Sequence, residues 1–132
     1  MLLDTHAALW AAFDDNALGK NSRRLVRRAS DQNELAVSAI TFWEIALLIN
    51  KHRLRLVDSA TEARRVILGR GTSELPLTGE IAILAANLEN LHADPADRFI
   101  AATAIMHDAI LVTADERLLK SRHILRKQNA ES

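Results

Sequence analysis

Asp4, Glu44, Asp97 and Asp115 are the residues of this chain best placed to do chemistry. Each sits where a strand-like run gives way to a helix-like one, or within about two turns of such a junction. In an open α/β sheet that junction is the carboxyl edge of the strands, where ligands bind. Carboxylates gathered there offer oxygen donors only, which suits a hard divalent cation such as Mg²⁺ or Mn²⁺. The expected chemistry is metal-dependent and directed at phosphate.

Each acid also has a plainer reading. Asp4 and Asp115 could cap the helices that follow them, Asp97 could occupy the first turn of a helix capped by Asp94, and Glu44 could close a capping box with Thr41. Glu44 resists its plain reading most. Ser38 is the better cap, which leaves Glu44 about two turns inside the apolar run from Ile40 to Leu47. A charge without a partner there costs several kcal/mol, and a cation shared with Asp4 and Asp97 would supply the partner. Asp94 is explained by capping and supports the site at most. Thr5 and Thr113 carry hydroxyls near the same rim, able to orient a carboxylate.

The elements that must position these groups follow from periodicity and punctuation. Strands are expected at Met1–Leu3, Glu34–Val37, Glu74–Leu77 (shortened by Pro76), Ala109–Thr113 and, at the edge, Ile124–Leu125. Helices are expected from Thr5 to about Phe13, from a cap at Asn21-Ser22 to about Ser30, and from Ser38 to about Lys51. Another opens at the capping box Ser59-x-x-Glu62 and stops near Gly69–Gly71; a further one runs from Thr78 to about Leu88. Asp94-Pro95 begins the strongest helix signal, reaching Met106 or His107, and Asp115–Lys120 is a short last helix. Strands alternating with helices predict an α/β fold, a parallel sheet covered on both faces.

Composition bounds the rest. With 132 residues, 48% hydrophobic and 26% charged, the chain is the size and character of one soluble globular domain. No apolar run approaches the roughly 18 residues of a spanning helix, and no signal peptide is evident, so no membrane role and a cytoplasmic location are expected. Cysteine is absent, which excludes disulfides, thiolate nucleophiles and Cys-rich zinc sites. The histidines show no HxxxH or HExxH spacing, no G-x-S-x-G elbow is present, and the glycines form neither a phosphate loop nor a dinucleotide fingerprint. The 17 Lys+Arg balance 17 Asp+Glu, yet basic residues cluster at Lys20–Arg28, Lys51–Arg55 and Lys120–Lys127, where a neutral protein can still present a stripe to phosphates.

Taken as ordered blocks, Leu2-Leu3-Asp4-Thr5-His6-Ala7-Ala8-Leu9-Trp10, Val37-Ser38-Ala39 with Phe42-Trp43-Glu44-Ile45-Ala46, Asp94-Pro95-Ala96-Asp97-Arg98-Phe99-Ile100-Ala101-Ala102-Thr103-Ala104, and Leu111-Val112-Thr113-Ala114-Asp115 resemble PIN-domain proteins of the VapC toxin type. The resemblance covers nearly the whole chain. It implies a single PIN domain over residues 1–132, a PIN-like three-layer α/β/α architecture with a short central parallel sheet of four to five strands. It further implies a toxin ribonuclease using Mg²⁺ or Mn²⁺ held by Asp4, Glu44, Asp97 and Asp115, a homodimer, an RNA substrate and a VapB-like antitoxin. On that reading Asp4 and Asp97 are the primary ligands, while Asp115 and Glu44 hold waters or a second ion. The segment Lys51–Leu56 lacks a glycine often found there in the family.

Two other functions compete. A haloacid-dehalogenase-like phosphatase also opens with an apolar strand and an Asp, but it would want a second Asp where this chain has His6. A non-catalytic PIN-fold interaction module would not need the acid set intact. For RNA contact, Lys51, Arg53 and Arg55 are favoured because they end the helix carrying Glu44. Trp43, Leu47 and Leu48 on that helix offer an apolar groove for an antitoxin segment.

Overall fold

The computed structural model describes residues 1–132. Five parallel strands, β1 (Leu2–Leu3), β2 (Leu35–Ser38), β3 (Thr72–Leu75), β4 (Leu111–Thr113) and β5 (Lys127–Asn129), lie in the order β3-β2-β1-β4-β5. The register pairs Leu2 with Ala36 on one side and Leu111 on the other. Because the chain builds outward from β1 in one direction and then restarts beside it with β4, the order reverses between β1 and β4. That switch point opens a crevice at their carboxyl ends.

Alternation along the strands divides the core. Leu3, Leu35, Val37 and Val112 face a cluster with Ala8, Leu9, Val26, Ala63 and Ile67, contributed by α1 (Thr5–Ala12), α2 (Lys20–Asp31) and α4 (Ala60–Leu68). Leu2 and Leu111 face the opposite cluster, with Ile81, Ile100, Ala101 and Leu118 from α5 (Gly79–Asn87), α6 (Pro95–Met106) and α7 (Glu116–Leu119). The remaining helix, α3 (Ile40–Asn50), contributes Ile45 to the first cluster and packs Ile40 against the second. Full burial of a side chain such as Ile45 or Ile100 (both 0% exposed) contributes about 1.5–3 kcal/mol each. Three layers result, with the sheet in the middle. No helix is long and apolar enough to cross a membrane.

The expected helices and the first four strands are present. β3 spans Thr72–Leu75, ending ahead of Pro76, rather than Glu74–Leu77, and three further details differ. The strand expected at Ile124–Leu125 lies instead at Lys127–Asn129: Ile124 is buried in the core and Leu125 is 87% exposed. An edge strand of three polar residues pairs through its backbone alone and leaves no apolar signature. The second helix is not capped by Asn21-Ser22. It begins at Lys20 after Gly19, and the N–H groups of Asn21 and Ser22 donate to Ser132 O at 2.8 and 3.1 Å. Ser22 is turned inward, its hydroxyl donating to Asn129 O at 2.7 Å. Finally, β2 extends through Ser38 and α3 starts at Ile40, although the Ser38 hydroxyl still accepts from Ile40 N–H at 3.2 Å. Glu44 is therefore just beyond the first turn rather than two turns in. Near the turn after α3, His52 takes a left-handed conformation (φ 57°), which glycine adopts at lower cost.

Candidate metal centre

Asp4 ends β1 at the switch point and is 7% exposed. Its Oδ1 accepts from Ala7 N–H at 2.9 Å, so the capping reading holds; its Oδ2 accepts from the Thr113 hydroxyl at 2.5 Å across the β1–β4 junction. Burial pushes the Asp4 carboxyl above the usual carboxylate range, with both hydrogen bonds pulling the other way. Fixing a buried carboxylate in one rotamer by two donors is how a ligand is held ready.

Glu44 projects from α3 and accepts no short hydrogen bond. The capping box with Thr41 does not form, because α3 begins at Ile40 and Thr41 lies inside it, its Oγ1 accepting from the Thr5 hydroxyl at 3.2 Å. Desolvation raises its pKa, nearby Asp97 and Asp94 raise it further, and the neighbouring Thr5 hydroxyl offsets part of that.

Asp97 is the hub. It lies in the first turn of α6, whose cap Asp94 accepts from Asp97 N–H through Oδ1 at 3.0 Å. The carboxylate groups of Glu44, Asp94 and Asp97 place ligand atoms within 4.8 Å of one another, and so do His92, Asp97 and Asp115. Asp97 belongs to both groups. Its pKa is raised, first by burial and then by Asp94 and Asp115, against the pull of His92. Asp94 thus caps the helix and also stands beside the site.

Asp115 caps α7, its Oδ1 accepting from Arg117 N–H at 2.8 Å and Leu118 N–H at 3.3 Å. Unlike the other three it is charge-compensated. The Arg117 guanidinium, 2.9 Å from Oδ2, holds its pKa below the usual range, and the helix N–H groups add to this.

Sequence reasoning missed three contributors. His92 Nε2–H donates to Asp97 Oδ2 at 2.6 Å, while its Nδ1 is buried without a partner. An orphaned acceptor costs less than an orphaned N–H beside a carboxylate seeking a donor, so the proton belongs on Nε2. A search for zinc spacing could not find a histidine that serves as a donor; its place in the loop just before the Asp94 cap was the available signal. Arg98 donates to the carbonyls of Ala85, Ala86, Leu88, Leu91 and His92. This pins the loop that carries His92. Arg117 is the third, two residues beyond Asp115, and its Nη2 also lies 3.9 Å from Asp97 Oδ2. Lys51, Arg53 and Arg55 form no ion pair with any of the site acids.

Comparison with known proteins decides the family. The PIN-domain family model matches residues 1–123. The chain belongs to the PIN-domain family. This PIN domain is 35% identical over 124 residues to Ribonuclease VapC22 of Mycobacterium tuberculosis, covering 93% of this chain and 92% of that protein. Its fold matches that in VapBC2 from Rickettsia felis bound to a promoter DNA fragment, with TM-score 0.72 and 18% identity over 97% of this chain and 96% of that one. It also matches a toxin–antitoxin complex from Klebsiella pneumoniae, with TM-score 0.63 and 19% identity over 98% and 96% of the two chains. The PIN match ends at residue 123, before β5, the strand that sequence reasoning misplaced.

Proposed function

We propose that this single PIN domain is an endoribonuclease of the VapC type, the toxin of a toxin–antitoxin pair, hydrolysing RNA phosphodiesters with Mg²⁺ or Mn²⁺ held by Asp4, Glu44, Asp97 and Asp115. One observation carries the metal part: Asp4, Glu44 and Asp97 are all pushed toward protonation, first by burial and then by neighbouring acids, and their oxygen donors, brought together around Asp97, fit a hard cation. When bound, such an ion supplies the missing positive charge and acidifies water for attack on the phosphodiester.

The chain's own residues do the rest. Thr113 and Ala7 N–H orient Asp4; His92 orients Asp97 through Oδ2, to which alone hydrogen bonds run, leaving Oδ1 open. Glu44, whose pKa is raised by burial and by Asp97 and Asp94, is suited to take the proton released as water attacks. A phosphatase using Asp4 as nucleophile is disfavoured, because it would want a second Asp two residues on, where this chain has His6. A non-catalytic module would have no use for uncompensated buried acids, which are costly to keep.

An antitoxin and a second copy of the chain are the proposed partners. Trp43 is 47% exposed on α3 beside half-buried Leu47 and Leu48, which supports docking of an apolar antitoxin segment there. Leu48→Asp is expected to release the antitoxin in a pull-down while RNA cleavage continues. For the catalytic reading, chelator-stripped protein should leave a labelled RNA intact and cleave it once Mg²⁺ or Mn²⁺ is restored. Undiminished cleavage by the stripped protein would overturn the mechanism.

A further inference from the structure

The acid cluster poses a problem for its proposed substrate. Asp4, Glu44, Asp94, Asp97 and Asp115 converge on one crevice, and RNA is a polyanion that such a crevice repels. A divalent ion offsets part of this, and the phosphate needs a cation of its own from the protein. No Lys or Arg other than Arg117 forms an ion pair with these acids. Arg23 is paired with Asp14, Arg64 with Glu74 and Arg65 with Glu62, and Arg98 is spent on carbonyls. Arg117 is the one Lys or Arg in ion-pair contact with the cluster, touching Asp115 at 2.9 Å and approaching Asp97 at 3.9 Å.

Its geometry suits two roles. Nε and Nη2 address Asp115 at 3.3 and 2.9 Å, while no hydrogen bond uses Nη1. The side chain is 61% exposed, so it can rotate outward without breaking core packing. A guanidinium is a planar fork of donors matched to two phosphate oxygens at once.

We propose that Arg117 is the phosphate-binding residue of this site, and that in the metal-free protein the same guanidinium stands on Asp115 in place of the ion. Were an ion held by Asp115, the guanidinium would be free to address a non-bridging oxygen of the scissile phosphate. The phosphate half of this inference rests on the ribonuclease reading; the counter-cation half does not.

The test compares the full-length wild type with Arg117→Ala and Arg117→Lys, each checked for an unchanged circular-dichroism spectrum. Calorimetric titration with Mn²⁺ in the absence of RNA should show Arg117→Ala binding the ion roughly two- to fivefold more tightly, because a competing exposed ion pair is gone. At saturating Mn²⁺, kcat/KM for a labelled RNA should fall by about tenfold or more in Arg117→Ala, with a smaller fall in Arg117→Lys, which keeps the charge and loses the fork. Unchanged or weaker Mn²⁺ affinity in Arg117→Ala would overturn the counter-cation role. An unchanged kcat/KM beside an active wild type would overturn the phosphate role. Failure of the wild type itself to cleave RNA with Mn²⁺ would defeat the ribonuclease reading and the phosphate role with it, while the Mn²⁺ titration still decides the other half.

Discussion

The two ends of the sheet differ in a way that separates a hollow from a site. Near the amino ends of β1, β2 and β4 lies a cavity of about 530 Å³, walled in part by Met1, Arg28, Glu34, Asp108, Ile110 and Arg126. Its charges are of mixed sign. Arg126 pairs with Asp108 at 3.6 Å, and the Met1 amine donates to Glu34 O at 2.9 Å. At the carboxyl ends Asp4, Glu44 and Asp97 sit partly desolvated with too little positive charge to match them. Volume by itself demands nothing of a ligand, whereas an electrostatic deficit calls for a cation. Perturbed acids, more than volume, mark the working end.

Substitutions at the two ends should therefore diverge sharply. Asp97→Asn or Asp4→Asn is expected to lower the rate of RNA cleavage by about a thousandfold or more. Arg126→Ala, at the amino end, should leave that rate within about twofold. Full activity in Asp97→Asn with loss in Asp94→Asn would shift the central ligand from Asp97 to its neighbour.

A smaller effect is expected at the support beneath Asp4. Thr113→Val keeps the shape of the side chain and removes the donor to Asp4 Oδ2, leaving a buried acceptor unpaired at a cost of about 1–3 kcal/mol. Chemical denaturation measures that loss. A stability equal to wild type would mean the Thr113 hydroxyl does not hold the carboxylate.

The pH response sharpens the comparison further. An acid whose pKa is raised by folding holds a proton that the unfolded chain has already lost. Stability then falls as pH rises from the ordinary carboxylate range through the raised value. Asp4, Glu44 and Asp97 act in this sense. Asp115, lowered by Arg117, acts oppositely: its contribution is present above the ordinary range and lost as pH falls. Metal-free Asp97→Asn should thus gain stability relative to the wild type as pH rises from about 4 to about 7. A relative loss over that interval would contradict the claim that Asp97 is held under repulsion.

Much of this was legible in the residues themselves. Asp4 and Asp115 could be placed because short apolar strands precede them, and Asp97 because Asp94-Pro95 marks the start of its helix. What stayed hidden was set by long-range contact. The start of α2 depends on Ser132 and Gly19, brought together by the fold, and β5 is defined by backbone pairing to β4. His92 and Arg117 escaped notice for a related reason: each acts by supporting or neutralising a carboxylate, and such roles have no spacing rule of their own. The Asp-x-Arg of Asp115 and Arg117 is local enough to have been found.

The most direct test of the electrostatic deficit is calorimetric titration of Mn²⁺ into metal-free wild type and Asp97→Asn, without RNA. Asp97 belongs to both groups of converging ligand atoms. The wild type should bind Mn²⁺ saturably and the variant should lose that binding. Equal binding by the two proteins, or none by the wild type, would contradict the assignment of the carboxyl end as the metal centre.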